Sequence, residues 1–344
     1  MIILDDKRRE RNMIIVFGGS GFIGTYLVDE LVRQGRDVVV CGRNPAAKAY
    51  FEGRNVRWID YDMRCRGHVA RLPADGVESV VLLSALVPAN VSIYEPQAYI
   101  DLNITGTLDI LEYCRRTGVR ALVNASSHSD VAGFWDCGRA ITEADPRSFS
   151  LTGDHAIYII SKMAGADLVE HYRQEFGIRG VSLRLPAVYG HGPHTEIFID
   201  TKRHVTGFKI FLTRALAGET IEVWGDWSKG RDLVYVKDVV GAFIGALDNK
   251  DAWGLYNVAS GVRTTLEAEA RGIAEVFSPA GRLAGVMNRP EKPNNIHTYL
   301  YDISKAKKDL RYAVRFPYRD MLVDYKEEMA RQRFPHLQAR ERKG

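Results

Sequence analysis

Apolar runs alternate with amphipathic ones along the first half of the chain. Ile14 to Phe17, Asp37 to Cys41, Val56 to Ile59, Ser79 to Leu83, Ala121 to Ala125 and Gly180 to Leu185 are almost continuously apolar and read as strands. Between them, Thr25 to Arg33, Asp101 to Arg116 and Ile157 to Phe176 carry apolar residues at helical spacing. Strands apolar on both faces and separated by helices predict βαβ units and an α/β, doubly wound parallel sheet, with ligand at the carboxyl ends of its strands.

After Leu185 the texture changes. A helix over Gly207 to Ala217, a strand and helix from Val234 to Leu247 and a strand at Leu255 to Val258 lie among loops. This predicts a smaller C-terminal substrate lobe, interleaved with the last pieces of the sheet. The expected division is a mobile leader over 1–12, a dinucleotide-binding domain over 13–185 plus 232–259, a substrate-binding lobe over 186–231 and 260–330, and a tail over 331–344.

Composition removes some partners. In 344 residues, 47 Lys and Arg nearly balance 43 Asp and Glu, with no basic stripe, so a nucleic-acid partner is not expected. The longest apolar stretch, Val80 to Val91, is broken by Ser84, Pro88 and Asn90. It falls short of the roughly 18 residues a membrane helix needs, so no membrane partner is expected. Four cysteines without a CxxC pair point to free thiols and a cytoplasmic chain.

Chemistry enters at residues 18–24, GGSGFIG, where a strand ends and a helix opens. Glycines at 18, 21 and 24 suit the first turn of a Rossmann-type fold. One tightens the turn, one lets a pyrophosphate approach the backbone at the helix N-terminus, and one lets helix and strand pack closely. Gly18, Ser20, Gly21, Phe22, Ile23 and Gly24 are therefore candidate cofactor contacts; a plain structural turn is the alternative. At the end of the second strand the acidic residue expected beside the adenosine ribose is replaced by Gly42, and Arg43 follows. A guanidinium there suits the 2′-phosphate of NADP, with NAD as the alternative cofactor.

Farther along, YIISK puts Tyr158 and Lys162 on one helix face. An ammonium near a tyrosine favours its phenolate and makes it a usable base near neutral pH. Upstream, the strand Ala121 to Ala125 runs into Ser126-Ser127, whose hydroxyls stand where ligand is expected.

A glycine turn, Ser-Ser after a later strand and YxxxK on the next helix, in that order, resemble the extended short-chain dehydrogenase/reductases. That family includes UDP-galactose 4-epimerase and nucleotide-sugar dehydratases and keto reductases. Further matches are Asp62-Met63, Leu83-Ser84-Ala85, NITGTLDILEYC from Asn103, LRLPAVYG at 183–190, RDLVYVKDV at 231–239 and LYDISKAKKDL at 300–310. The resemblance implies that Tyr158 is the acid/base, Lys162 holds the nicotinamide ribose and Ser127 orients the reacting hydroxyl. It also implies cofactor contacts from Asp62, Met63, Ser84, Ala85, Asn103, Pro186 and Val188. Arg231 and Arg289 would contact the nucleotide of the substrate, and dimers would form through the helices Asp101 to Arg116 and Ile157 to Phe176.

The departures from the family pattern carry information too. Dehydratases place Asp-Glu after the active hydroxyl, whereas His128-Ser129 follows Ser127 here, which disfavours dehydration. One extra residue before Val131-Ala132-Gly133 leaves Ser126 and Ser127 as alternatives, and Pro186 stands where the family has asparagine. His194, after Pro193, is a candidate acid beside the keto carbon or a plain loop histidine. His191 and His194, with no further ligand pattern, do not predict a metal. The expected function is NADP-dependent reduction of a nucleotide-linked 4-keto sugar. A 4-epimerase with retained NAD(P) is the alternative, and a non-catalytic NADP-binding redox sensor is a reading from another class.

Overall fold

The computed structural model describes residues 12–88, 93–153, 155–193, 196–199 and 202–338. Seven strands form one parallel sheet: β1 Met13–Phe17, β2 Asp37–Gly42, β3 Val56–Asp60, β4 Val77–Leu82, β5 Ala121–Ser127, β6 Arg179–Leu185 and β7 Gly254–Asn257. Their order is 3-2-1-4-5-6-7. The order reverses between β1 and β4, and that crevice is where an open α/β sheet binds its ligand.

Burial explains why these segments are strands. Every residue of β1 is buried, as are Val38 to Gly42 in β2 and Ser79 to Leu82 in β4. Continuous burial of this kind is what a central strand covered on both faces requires. Helices α1 (Phe22–Arg33), α2 (Pro45–Phe51), α3 (Gly106–Thr117), α4 (Ala156–Phe176) and α5 (Val236–Asp248) are the main helices around the sheet. α2 starts on Asn44, whose side chain accepts from the Ala46 N–H, with Pro45 at the first helical position.

The expected helix over Asp101 to Arg116 is interrupted. Residues Ile100–Thr105 form a π-helical segment before α3. Such a bulge often marks a functional position, and here it carries Asn103. The strand Leu255 to Val258 is β7, which joins the sheet beside β6.

Outside the seven-stranded sheet lie the helices Gly207–Leu216, Leu266–Phe277 and Tyr318–Arg331 and the paired strands Ile221–Trp224 and Val286–Arg289. Residues 331–338, set apart above as a tail, pack back onto α1 and α2 instead. Phe334, His336 and Leu337 are buried, and His336 Nε2 lies 3.0 Å from the Thr25 hydroxyl on α1. Apolar burial and the Arg333–Asp29 pair at 3.0 Å hold this segment, which its charged flanks concealed. Among the described residues no helix is long and apolar enough to cross a membrane. The leader, apart from Asn12, lies outside the described residues.

Candidate active site

The glycine turn fits a pyrophosphate by its shape. Gly18 has φ +82°, and a Cβ there would stand 2.6 Å from the Ser84 backbone nitrogen. A Cβ on Gly24 would stand 2.1 Å from the Gly18 carbonyl oxygen, so β1 and α1 pack at a distance only glycine permits. Gly21 caps α1 without a side-chain hydrogen bond, and the first turn holds no acidic residue. A helix N-terminus with no acidic side chain in its first turn favours an anion there. Ser20 is buried in the same turn.

At the adenosine end, a Cβ on Gly42 would stand 2.8 Å from the Trp58 indole and 3.0 Å from the Ser20 hydroxyl. A carboxylate at that position would have to displace Trp58. Arg43 Nη1 instead donates to Asp62 at 2.8 Å, and Arg64 Nη2 donates to the same oxygen at 2.9 Å. The Arg64 guanidinium, with Arg43 beside it, holds the Asp62 carboxyl far below the usual range. Met63 is buried, packed where a Cβ on Gly106 would come within 3.0 Å.

Asn103 ties three elements together. Its Oδ1 accepts from the Leu86 N–H at 2.8 Å; its Nδ2 donates to the Leu86 carbonyl at 3.1 Å and to the Ser161 hydroxyl at 2.9 Å. Ser161 in turn donates to the Tyr158 carbonyl at 2.8 Å. The loop after β4, which carries Ser84 and Ala85, is thereby fixed against the α4 turn bearing Tyr158 and Lys162.

Ser127 and not Ser126 faces Tyr158, because successive strand residues point to opposite faces. Burial raises the Tyr158 phenol pKa, and the Ser127 hydroxyl opposes that rise. Lys162 is pushed down to about 8 by burial. The arrangement can move a proton at an oxygen held between Ser127 and Tyr158.

Arg231 stands in the strand Gly230–Asp232, with its Nη2 3.0 Å from the Tyr189 hydroxyl and 3.1 Å from Glu269 Oε2. Burial opposes its charge, but Tyr189 and Glu269 keep it cationic. No sequence spacing links Glu269 or Tyr189 to Arg231, and only the fold joins them. Arg289 donates to Glu222 at 2.9 Å, with Lys292 on the other carboxylate oxygen at 2.7 Å. These contacts tie the strand Val286–Arg289 and the turn after it to its partner Ile221–Trp224. Pro186 is buried, Val188 pairs with Val234, and His194 lies outside the described residues.

The model of the NAD dependent epimerase/dehydratase family matches residues 14–259. The putative UDP-glucose 4-epimerase of Methanocaldococcus jannaschii is 27% identical over 299 residues, covering 86% of this chain and 91% of that protein. UDP-glucuronic acid decarboxylase 3 of Arabidopsis thaliana is 27% identical over 319 residues, covering 90% and 86%. Among solved structures, UDP-glucose 4-epimerase of Thermotoga maritima with UDP-glucose superposes with a TM-score of 0.76 at 26% identity, covering 93% of this chain and 99% of that one. The Thermus thermophilus UDP-glucose 4-epimerase complex with NAD gives 0.73 at 26% identity, covering 92% and 99%. With the glycine turn, the Ser127–Tyr158–Lys162 group and this match in agreement, the chain belongs to the NAD dependent epimerase/dehydratase family, the extended short-chain dehydrogenase/reductases.

Proposed function

We propose that this protein is a nucleotide-sugar 4-epimerase that retains NAD(P) through turnover and acts on a UDP-hexose. The observation that carries this reading is the Ser127 hydroxyl beside the Tyr158 phenol, with Lys162 one turn along the same helix, in a chain whose relatives include UDP-glucose 4-epimerases. When bound, the nicotinamide supplies reversible hydride exchange with the sugar ring carbon. Tyr158 takes the proton of the C4 hydroxyl and returns it after the ring has turned its other face. Ser127 hydrogen-bonds the same oxygen, and the Lys162 ammonium favours the phenolate. Arg231 holds the nucleotide phosphates. This reading replaces the NADPH-dependent reduction expected from the sequence, which would use the same three residues.

The cofactor we propose is NADP. Trp58 fills the space an acid at position 42 would need, and the Arg43 and Arg64 guanidiniums meet at Asp62. The NAD complex of the Thermus thermophilus relative supports NAD as the alternative. Cytoplasmic location and homodimers through α3 and α4 belong to the same reading. The deciding experiment is incubation of the purified protein with UDP-galactose and no added cofactor. UDP-glucose formation is expected; conversion of a 4-keto sugar only with stoichiometric NADPH would return the assignment to a reductase.

A further inference from the structure

His128 follows Ser127 directly and has no part in the chemistry above. Its Nδ1 lies 3.0 Å from the Tyr301 hydroxyl. That hydroxyl also receives the Trp135 Nε1–H at 3.2 Å, and an indole can only donate. Tyr301 is buried, and Nδ1 of His128 is the acceptor the structure offers its hydroxyl hydrogen. With Nδ1 accepting, the ring proton sits on Nε2. Burial, with Arg184 and Arg231 nearby, pushes this imidazole down to about 3, so it stays neutral at ordinary pH. Trp135 and Tyr299, each with its ring centre 5.1 Å away, hold the ring in place. Nε2–H has no acceptor among the described residues.

We propose that the Nε2–H of His128 donates a hydrogen bond to an oxygen of the substrate's sugar, making His128 a substrate-positioning residue between Ser127 and Arg231. The inference rests on the nucleotide-sugar reading. A neutral donor fixed by Tyr301 orients an oxygen without taking part in proton transfer, which leaves that task to Tyr158.

The test is calorimetric binding of UDP and of UDP-glucose to the cofactor-loaded wild-type, His128→Phe and His128→Gln proteins. His128→Phe keeps the ring volume and removes the donor. UDP-glucose should bind about tenfold more weakly while UDP binding is unchanged, and His128→Gln, which restores an N–H, should recover most of the loss. Unchanged UDP-glucose binding in His128→Phe overturns the proposal, as does equal weakening of UDP and UDP-glucose. Wild-type protein that binds neither ligand removes the nucleotide-sugar reading itself, and the proposal with it.

Discussion

The Ser127 hydroxyl stands beside the Tyr158 phenol and lowers its pKa against the rise that burial imposes. Two residues 31 positions apart by numbering thus meet at the carboxyl end of β5. Tyr158→Phe should abolish turnover, and Ser127→Ala should lower kcat by about a hundredfold, with cofactor affinity kept in both. Steady-state kinetics alongside cofactor titration checks the separation.

Gly18→Ala should damage cofactor binding and the fold together. The new Cβ would meet the Ser84 backbone at 2.6 Å in a left-handed conformation. A loss of about 1–3 kcal/mol or more is expected in denaturant unfolding, with cofactor affinity falling as the turn shifts.

Asn103→Ala should leave the Leu86 N–H without its side-chain acceptor and release Ser161. A destabilisation of about 1–3 kcal/mol is expected, with a fall in kcat as the Tyr158 turn loosens. Unchanged kcat in the folded variant would remove Asn103 from the positioning of Tyr158.

Lys162→Met should separate stability from function. The lysine's folded pKa of about 8 lies below its unfolded value of about 10.4. The native state therefore binds fewer protons between those values, and stability rises with pH across that window. Below pH 8 the buried charge costs its full amount. Lys162→Met is expected to be inactive yet more stable at pH 7, with its advantage shrinking toward pH 10 in melting experiments.

Arg43→Ala tests the adenosine end. Affinity for NADP should fall by about tenfold while affinity for NAD stays level, because only the 2′-phosphate uses that guanidinium. Equal affinities for NADP in the two proteins would favour NAD as the cofactor.

The sequence by itself determined the sheet, the glycine turn and the Tyr158–Lys162 pair. These are local patterns: continuously apolar strands, helix spacing of i and i+4, and glycines where a Cβ has no room. Tertiary structure decided what depended on contacts between distant segments. It chose Ser127 over Ser126 by strand facing, placed Glu269 and Tyr189 on Arg231, and filled the space beside Gly42 with Trp58. It also folded residues 331–338 onto α1, where a short apolar cluster outweighs the charges around it. Such outcomes turn on which side chains the fold brings within a few ångströms, a distance that no spacing along the chain encodes.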